Sequence, residues 1–185
     1  MPDFAQAHAV LGPIEGGYSN NPADLGGETY CGISRVFHPT WAGWALIDAV
    51  RPRPKQGERL QGLDTLVARF YEVTFWEPCG GAALPSQALA AEVYEQAVNL
   101  SPGAAVQHLQ RALNVMNRGG ADWPDIRVDG RMGGATLAAV QRCITRRGEP
   151  ALLKCLNAYQ AMHYLREAER RPSQETFLNG WLTRT

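Results

Sequence analysis

Hydrophobic residues recur at helical spacing along most of the chain, with one long interruption near its start. Phe4, Ala7, Val10, Leu11 and Ile14 share one face of a first helix predicted over Asp3 to Ile14. Ser34 to Val50 reads as a helix or helical turn interrupted at Pro39, with Trp41 and Trp44 on it. At that spacing the tryptophans are core residues before they are sugar-stacking ones. Arg51 to Gly62, RPRPKQGERLQG, carries two prolines and no apolar pattern, so a polar loop is expected. An apolar stripe of Leu63, Leu66, Val67, Phe70 and Phe75 predicts an amphipathic helix to Trp76, ended by Glu77-Pro78. After the small-residue loop Cys79 to Pro85, Ser86 caps a helix to about Asn99 that faces Leu89, Val93, Ala97 and Leu100 inward. Ser101 at a cap and Pro102 in a first turn open the next helix, with Val106, Leu109, Leu113 and Val115 on its buried side. A polar loop, Asn117 to Arg127, and a turn around Asp129-Gly130 lead into a helix at Leu137 to Val140. Glu149 to Arg170 is the longest helix, with Leu152, Leu156, Tyr159, Met162 and Leu165 in register. Phe177, Leu178, Trp181 and Leu182 dock a last short one. The pattern predicts a mainly α protein.

The interruption is Glu15 to Ser34, EGGYSNNPADLGGETYCGIS. Gly-Gly pairs, Asn20-Asn21 and Pro22 forbid regular helix across most of it. Glu15 falls where the first helix ends and a glycine-rich loop or small hairpin begins. Apolar side chains behind a carboxyl in that position raise its pKa and suit it to general-acid work. Asp24 lies in a polar stretch that keeps a carboxylate ionised. A plain turn built by Asn20, Asn21, Pro22 and Asp24 is the structural alternative.

The run Glu15-Gly16-Gly17-Tyr18, then Pro22-Ala23-Asp24-Leu25-Gly26-Gly27-Glu28-Thr29-Tyr30-Cys31-Gly32-Ile33, resembles the N-terminal signature of the glycoside hydrolase family 108 lysozymes. These are muramidases tied to phage lysis and to export of bacterial proteins. The order Glu15, Asp24, Thr29 also resembles the catalytic triad of phage-type lysozymes, with Thr29 one residue closer to Asp24 than in that triad. Tyr71 and Trp76 resemble the family's Y-x-x-x-Y-W element, with Phe75 at its second Tyr. Tyr94 to Asn99 resembles its F-D-x-A-V-N element, with Glu95 in place of Asp. Leu109-Gln110 with Leu113, then Asp129-Gly130 through Thr136, resemble a predicted peptidoglycan-binding segment, and Phe177 to Arg184 resembles its closing F-x-x-G-W-x-x-R. The resemblance implies a lysozyme-like α+β fold: a compact helical body with a small β-hairpin or loop at the catalytic segment. It implies a catalytic segment over 1–100 and a peptidoglycan-binding segment over 101–185, packed together. It further implies Glu15, Asp24 and Thr29 as catalytic residues, Tyr18, Gly27, Tyr94 and Asn99 as substrate contacts, and peptidoglycan glycan strands as the partner, with no metal or organic cofactor.

Charge modifies this reading only slightly. The chain is formally neutral, so no global field draws it to nucleic acid. Eleven acidic residues face six Lys and Arg up to Pro102, and seven face twelve from Gly103 onward. A basic second half suits an anionic wall polymer, and it equally suits a solvated helix surface. Cys31, Cys79, Cys143 and Cys155 form no C-x-x-C pair, and reduced, mostly buried thiols are expected. His163 is a surface or core histidine rather than a ligand. No apolar stretch is long enough to embed the chain in a membrane, and no signal peptide is visible. Synthesis in the cytoplasm and action in the periplasm or wall would then need a holin, lysis or another export partner. Two rival functions keep the same motifs: a lytic transglycosylase, which needs one Glu, and a non-catalytic wall-binding or secretion-helper protein.

Overall fold

The computed structural model describes residues 1–11, 16–21, 27–183 and 185. Among them are eight α-helices and one three-stranded antiparallel sheet. The chain forms two compact units, His8–Thr74 and a second made of Met1–Ala7 with Phe75–Thr185.

In the unit His8–Thr74, strands β1 (Tyr18–Ser19), β2 (Thr29–Tyr30) and β3 (Ile33–Ser34) pair in chain order. Tyr18 lies opposite Tyr30, and Tyr30 opposite Ile33. Cys31-Gly32 turns β2 into β3 with positive φ at both positions, +45° and +75°. Two-residue hairpins demand this backbone because its twist matches the strands. A non-glycine residue there costs on the order of 1 kcal/mol or more. Two hydrogen bonds offset it at about 1 kcal/mol each: Cys31 N–H donates to Gly17 O (3.1 Å), and the Tyr71 hydroxyl donates to Cys31 O (3.1 Å).

Helices α2 (Gly43–Ala49) and α3 (Asp64–Tyr71) cover this hairpin. Buried Trp44, Ile47, Leu63, Val67 and Tyr71 form the core with Tyr30 and Ile33. Trp41 stacks on Tyr30 at 6.0 Å and meets Trp44 edge-on at 5.2 Å. Both tryptophans therefore belong to packing rather than to an open sugar face. The α1 helix, Phe4–Val10, leaves Val10 exposed, outside the apolar face expected for it. A π-helical turn, Glu72–Trp76, continues the chain from α3.

In the second unit, α4 (Gln87–Asn99) packs on α5 (Pro102–Met116), and α7 (Glu149–Arg170) contacts α4, α5, α6 (Gly134–Arg147) and α8 (Glu175–Leu182). Both serine caps form as expected: Ser86 Oγ accepts from Leu89 N–H and Ser101 Oγ from Ala104 N–H. Four residues leave their predicted faces, among them Phe177, expected to dock the last helix and exposed instead. Val115 is 66% exposed, and Met162 and Leu165 also point outward. The buried row of α7 is Leu152, Leu156, Gln160, Tyr164 and Ala168, every fourth residue. Gln160 turns that row inward by donating to Glu95 Oε2 (2.6 Å) and to the Tyr164 hydroxyl (2.9 Å).

Buried Gln110 explains why an L-Q-x-x-L helix travels with a distant D-G turn. Its Nε2 donates to Asp129 Oδ1, Arg131 O and Thr136 Oγ1, and its Oε1 accepts from the Asp129 and Gly130 amides. Gly130 has φ +72°, and a Cβ there would meet Gly103 O at 2.9 Å. Thr136 thus braces the turn through Gln110, while Gly133 holds the cap position of α6. Replacing Gln110 by Ala strands these buried groups, and a loss of about 2–4 kcal/mol is expected. Urea denaturation checks it; an unshifted midpoint would refute the stitch.

Candidate active site

Of the residues singled out for chemistry, Glu15 and Asp24 lie outside the described residues. Thr29 opens β2, half-buried, opposite Ser19 on one side and Ser34 on the other. Gly27 has φ +61°, a backbone that strains any side chain, and a Cβ on it would stand a tight 3.1 Å from Val36 Cγ2. Tyr18 is buried in β1, and its hydroxyl donates to Glu28 Oε1 at 2.8 Å. Burial first, then the Glu28 carboxylate, raises the phenol above its ordinary pKa and keeps it a donor.

Tyr94 and Asn99 belong to the other unit. The Tyr94 ring is enclosed, edge-on to Phe4 at 5.8 Å and to Trp76 at 5.6 Å. Asn99 Nδ2 bonds back to Glu95 O (2.9 Å) and Glu95 Oε1 (2.6 Å), one turn earlier on α4.

Beside Tyr18 the structure holds a polar cluster that motif reading passes over. Glu28, with its side chain 15% exposed, accepts from Arg35 Nη1 at 2.7 Å as well as from Tyr18. Arg35 also grips Asp48 with two parallel bonds of 2.9 and 2.6 Å and lies over the Trp44 ring at 5.2 Å. Arg53 Nη1 adds a 2.9 Å ion pair to Asp48 and a long 3.4 Å contact to Glu28. No spacing rule links these residues. The one signal available was a Glu inside the signature and two arginines among prolines.

The same surprise extends to the loop Arg51 to Gly62. It carries no helix or strand, yet it is bound to β1 through backbone bonds: Tyr18 N–H donates to Glu58 O and Gly57 N–H to Tyr18 O, both at 2.8 Å. Gly17 permits the approach, since a Cβ there would sit 1.9 Å from Glu58 O. Tyr30 adds a bond on either side of its hydroxyl, to Leu60 O and from Leu60 N–H. Between this loop and the sheet lies a cavity of about 430 Å3 lined by Tyr18, Asn20, Glu28, Arg53, Pro54 and Gln56. That size falls within the range of small-ligand sites.

The thiols offer no competing chemistry. All four are free. Burial raises the pKa of Cys31 above its ordinary value and that of Cys79 to about 12. Among the described residues no helix is long and apolar enough to cross a membrane.

Arg35 above all, with help from Arg53, holds the Asp48 carboxyl at about 2 against an ordinary 3.8. Because the folded value is the lower one, the stabilisation is present above about pH 4 and is lost as pH falls through about 2. The melting temperature of the wild type should therefore drop more steeply than that of D48N across this window. Parallel curves would remove Asp48 from the acid response.

Comparison with known proteins bears on what these residues do. Residues 9–100 match the family model described as Glycosyl hydrolase 108, and residues 104–185 match that described as Predicted Peptidoglycan domain. No curated protein matches the chain. Among solved structures, that of Brucella abortus SagA superposes with a TM-score of 0.66 at 24% identity, over 98% of this chain and 88% of that one. At this identity the likeness speaks for the fold, a mainly α lysozyme-like one with a small sheet. The first match spans the whole signature from Glu15 to Ser34, the second spans the Gln110 stitch, and together they make the chain a glycoside hydrolase of the glycosyl hydrolase 108 family, acting on peptidoglycan.

Proposed function

We propose that the chain is an N-acetylmuramidase that hydrolyses the β-1,4 bond between N-acetylmuramic acid and N-acetylglucosamine. The carrying observation is the family match over residues 9–100, which contains Glu15, Asp24 and Thr29 in order. Glycoside hydrolysis needs one carboxylic acid to protonate the leaving oxygen and a second carboxylate to stabilise the oxocarbenium-like transition state or to activate water. Glu15 takes the first role and Asp24 the second, with Thr29 positioning the water. Inversion of the anomeric centre requires the two carboxyls to stand roughly 6.5–9.5 Å apart, and retention about 5 Å.

Tyr18 and Gly27 are the proposed strand contacts, next to the cavity. Tyr94 and Asn99 take a supporting part, because one is enclosed by aromatic rings and the other is bonded to Glu95. The second segment, 101–185, holds the wall while the first cuts it. Access to the wall from the cytoplasm is through a holin or another export partner, in lysis or in protein export.

E15Q should lower the release of reducing ends from purified peptidoglycan at least ~100-fold, the scale of a lost general acid, with an unchanged melting temperature. Mass analysis of the products gives the second check. A sugar end carrying the added water supports hydrolysis, whereas an anhydro end, lighter by one water, means a lytic transglycosylase. Wall binding with no released ends from the wild type means a binding protein.

A further inference from the structure

The polar cavity in the unit His8–Thr74 carries an uneven set of hydrogen-bonding groups. Its acceptors are largely occupied. Glu28 Oε1 takes the Tyr18 hydroxyl and the long Arg53 contact, and Glu28 Oε2 takes Arg35. Its strongest donor is only partly used. Arg53 spends Nη1 on Asp48 and Glu28, while its Nε–H and Nη2 hydrogens meet no partner among the described residues. The Arg53 side chain stays 48% exposed, at the cavity wall.

Arg35 accounts for this division. It makes the bidentate pair with Asp48 and the 2.7 Å pair with Glu28, so each carboxylate keeps a guanidinium partner besides Arg53. The four charges, Glu28 and Asp48 against Arg35 and Arg53, balance, and Arg53 completes that balance through Nη1 alone, at 2.9 Å to Asp48 and 3.4 Å to Glu28. Arg53 also sits in a prepared backbone. It lies between Pro52 and buried Pro54, and a residue before proline is held extended. The loop that carries it is bonded to β1 on both sides of Tyr18. A guanidinium presented this way, with an open fork and little entropy left to lose, matches a carboxylate in geometry and charge.

We propose that this cavity receives a carboxylate of the lactyl-peptide arm of the glycan strand, that Arg53 is the residue that recognises it, and that the enzyme thereby prefers carboxylate-bearing strands to neutral ones. The inference rests on the muramidase reading for its substrate, but its test can fail separately. Asn20 and Gln56 complete the wall, and Gln56 Nε2 donates to Ser19 Oγ at 3.1 Å. Both are uncharged, which leaves Arg53 as the cation of the wall among the described residues.

The kinetic arm compares native peptidoglycan with the same wall after its carboxyls are converted to amides. R53Q should raise KM on native wall roughly tenfold with kcat within about twofold, the scale of a lost charge-assisted hydrogen bond. Amidated wall should impose the same loss on the wild type and little further loss on R53Q. R53K keeps the charge without the fork and should fall between them. Equal kinetics of R53Q and wild type on native wall, or an equal R53Q loss on both walls, would overturn the proposal. The second arm needs no turnover. In nitrogen-15-labelled full-length E15Q, the Arg53 Nε–H resonance, identified by its loss in E15Q/R53Q, is followed during titration with a soluble disaccharide-peptide and with its amidated form. A shift with the carboxylate form only supports the site; a shift with both, or with neither, rejects it. If the wild type releases no reducing ends, the muramidase reading falls, and this second arm still decides the carboxylate site.

Discussion

One carboxylate organises the described part of the catalytic segment. Glu28 stands between β1 and β2 and is bonded at once to the phenol of Tyr18 and to the guanidinium of Arg35, which in turn clamps Asp48 on α2. Taking a carboxylate this far out of water is costly unless its charge and lone pairs are met, and here both are. The arrangement is cooperative in a strict sense. Removing Arg35 would leave both acids to a single Nη1 of Arg53, whereas removing Arg53 leaves each acid with its closer partner. The sheet is only two residues wide per strand, so it cannot hold its own shape by ladder bonds. Its stiffness comes from this charge cluster, from the Cys31 turn anchored by Tyr71, and from the loop laid against β1.

The second unit uses a different device for the same end. Its helices pack through ordinary apolar faces, and single buried amides fix their register. Gln110 does so for the D-G turn. Gln96 does so for three helices: its Nε2 donates to Glu92 and to Leu156 O, so its Oε1 must face His108, whose Nδ1 therefore carries the proton. Burial above all, then His163 and Arg111, lowers the His108 pKa to about 4, so the ring stays neutral at ordinary pH. Glu92 is pushed the other way by its burial. A buried amide with both ends satisfied tolerates no slip of one helix past another, which a purely apolar seam would allow.

The sequence made local features legible and left distant pairings hidden. Helix ends followed from Ser86, Ser101 and Pro102 because a cap is a contact within one turn. The hairpin break followed from the glycines. Faces were read less well: Val115, Met162 and Leu165 satisfied an apolar periodicity yet lie outside, because spacings of three and four describe overlapping stripes. On α7 the buried row includes polar Gln160, bonded to Glu95, which an apolar pattern does not count. The loop Arg51 to Gly62 was featureless in hydrophobicity because its attachment is made by backbone amides, which no side-chain pattern records. Arg35, Asp48 and Arg53 were silent for a related reason, since ion pairs across many residues obey no period.

The cluster also bears on which acid within the signature can do chemistry. A general acid must present its proton to a leaving oxygen, and so needs a free oxygen directed at the substrate. Glu28 has its oxygens bonded by Tyr18, Arg35 and Arg53, so protonating a sugar would require breaking the contacts that hold the sheet. It is committed to structure. The roles proposed for Glu15 and Asp24 are consistent with this division, and in sequence each lies a few residues from a strand that Glu28 helps to hold. The fold thus uses one carboxylate of the signature to build the sheet. A charge bound this tightly is a poor proton carrier, because each contact that holds it favours the ionised form.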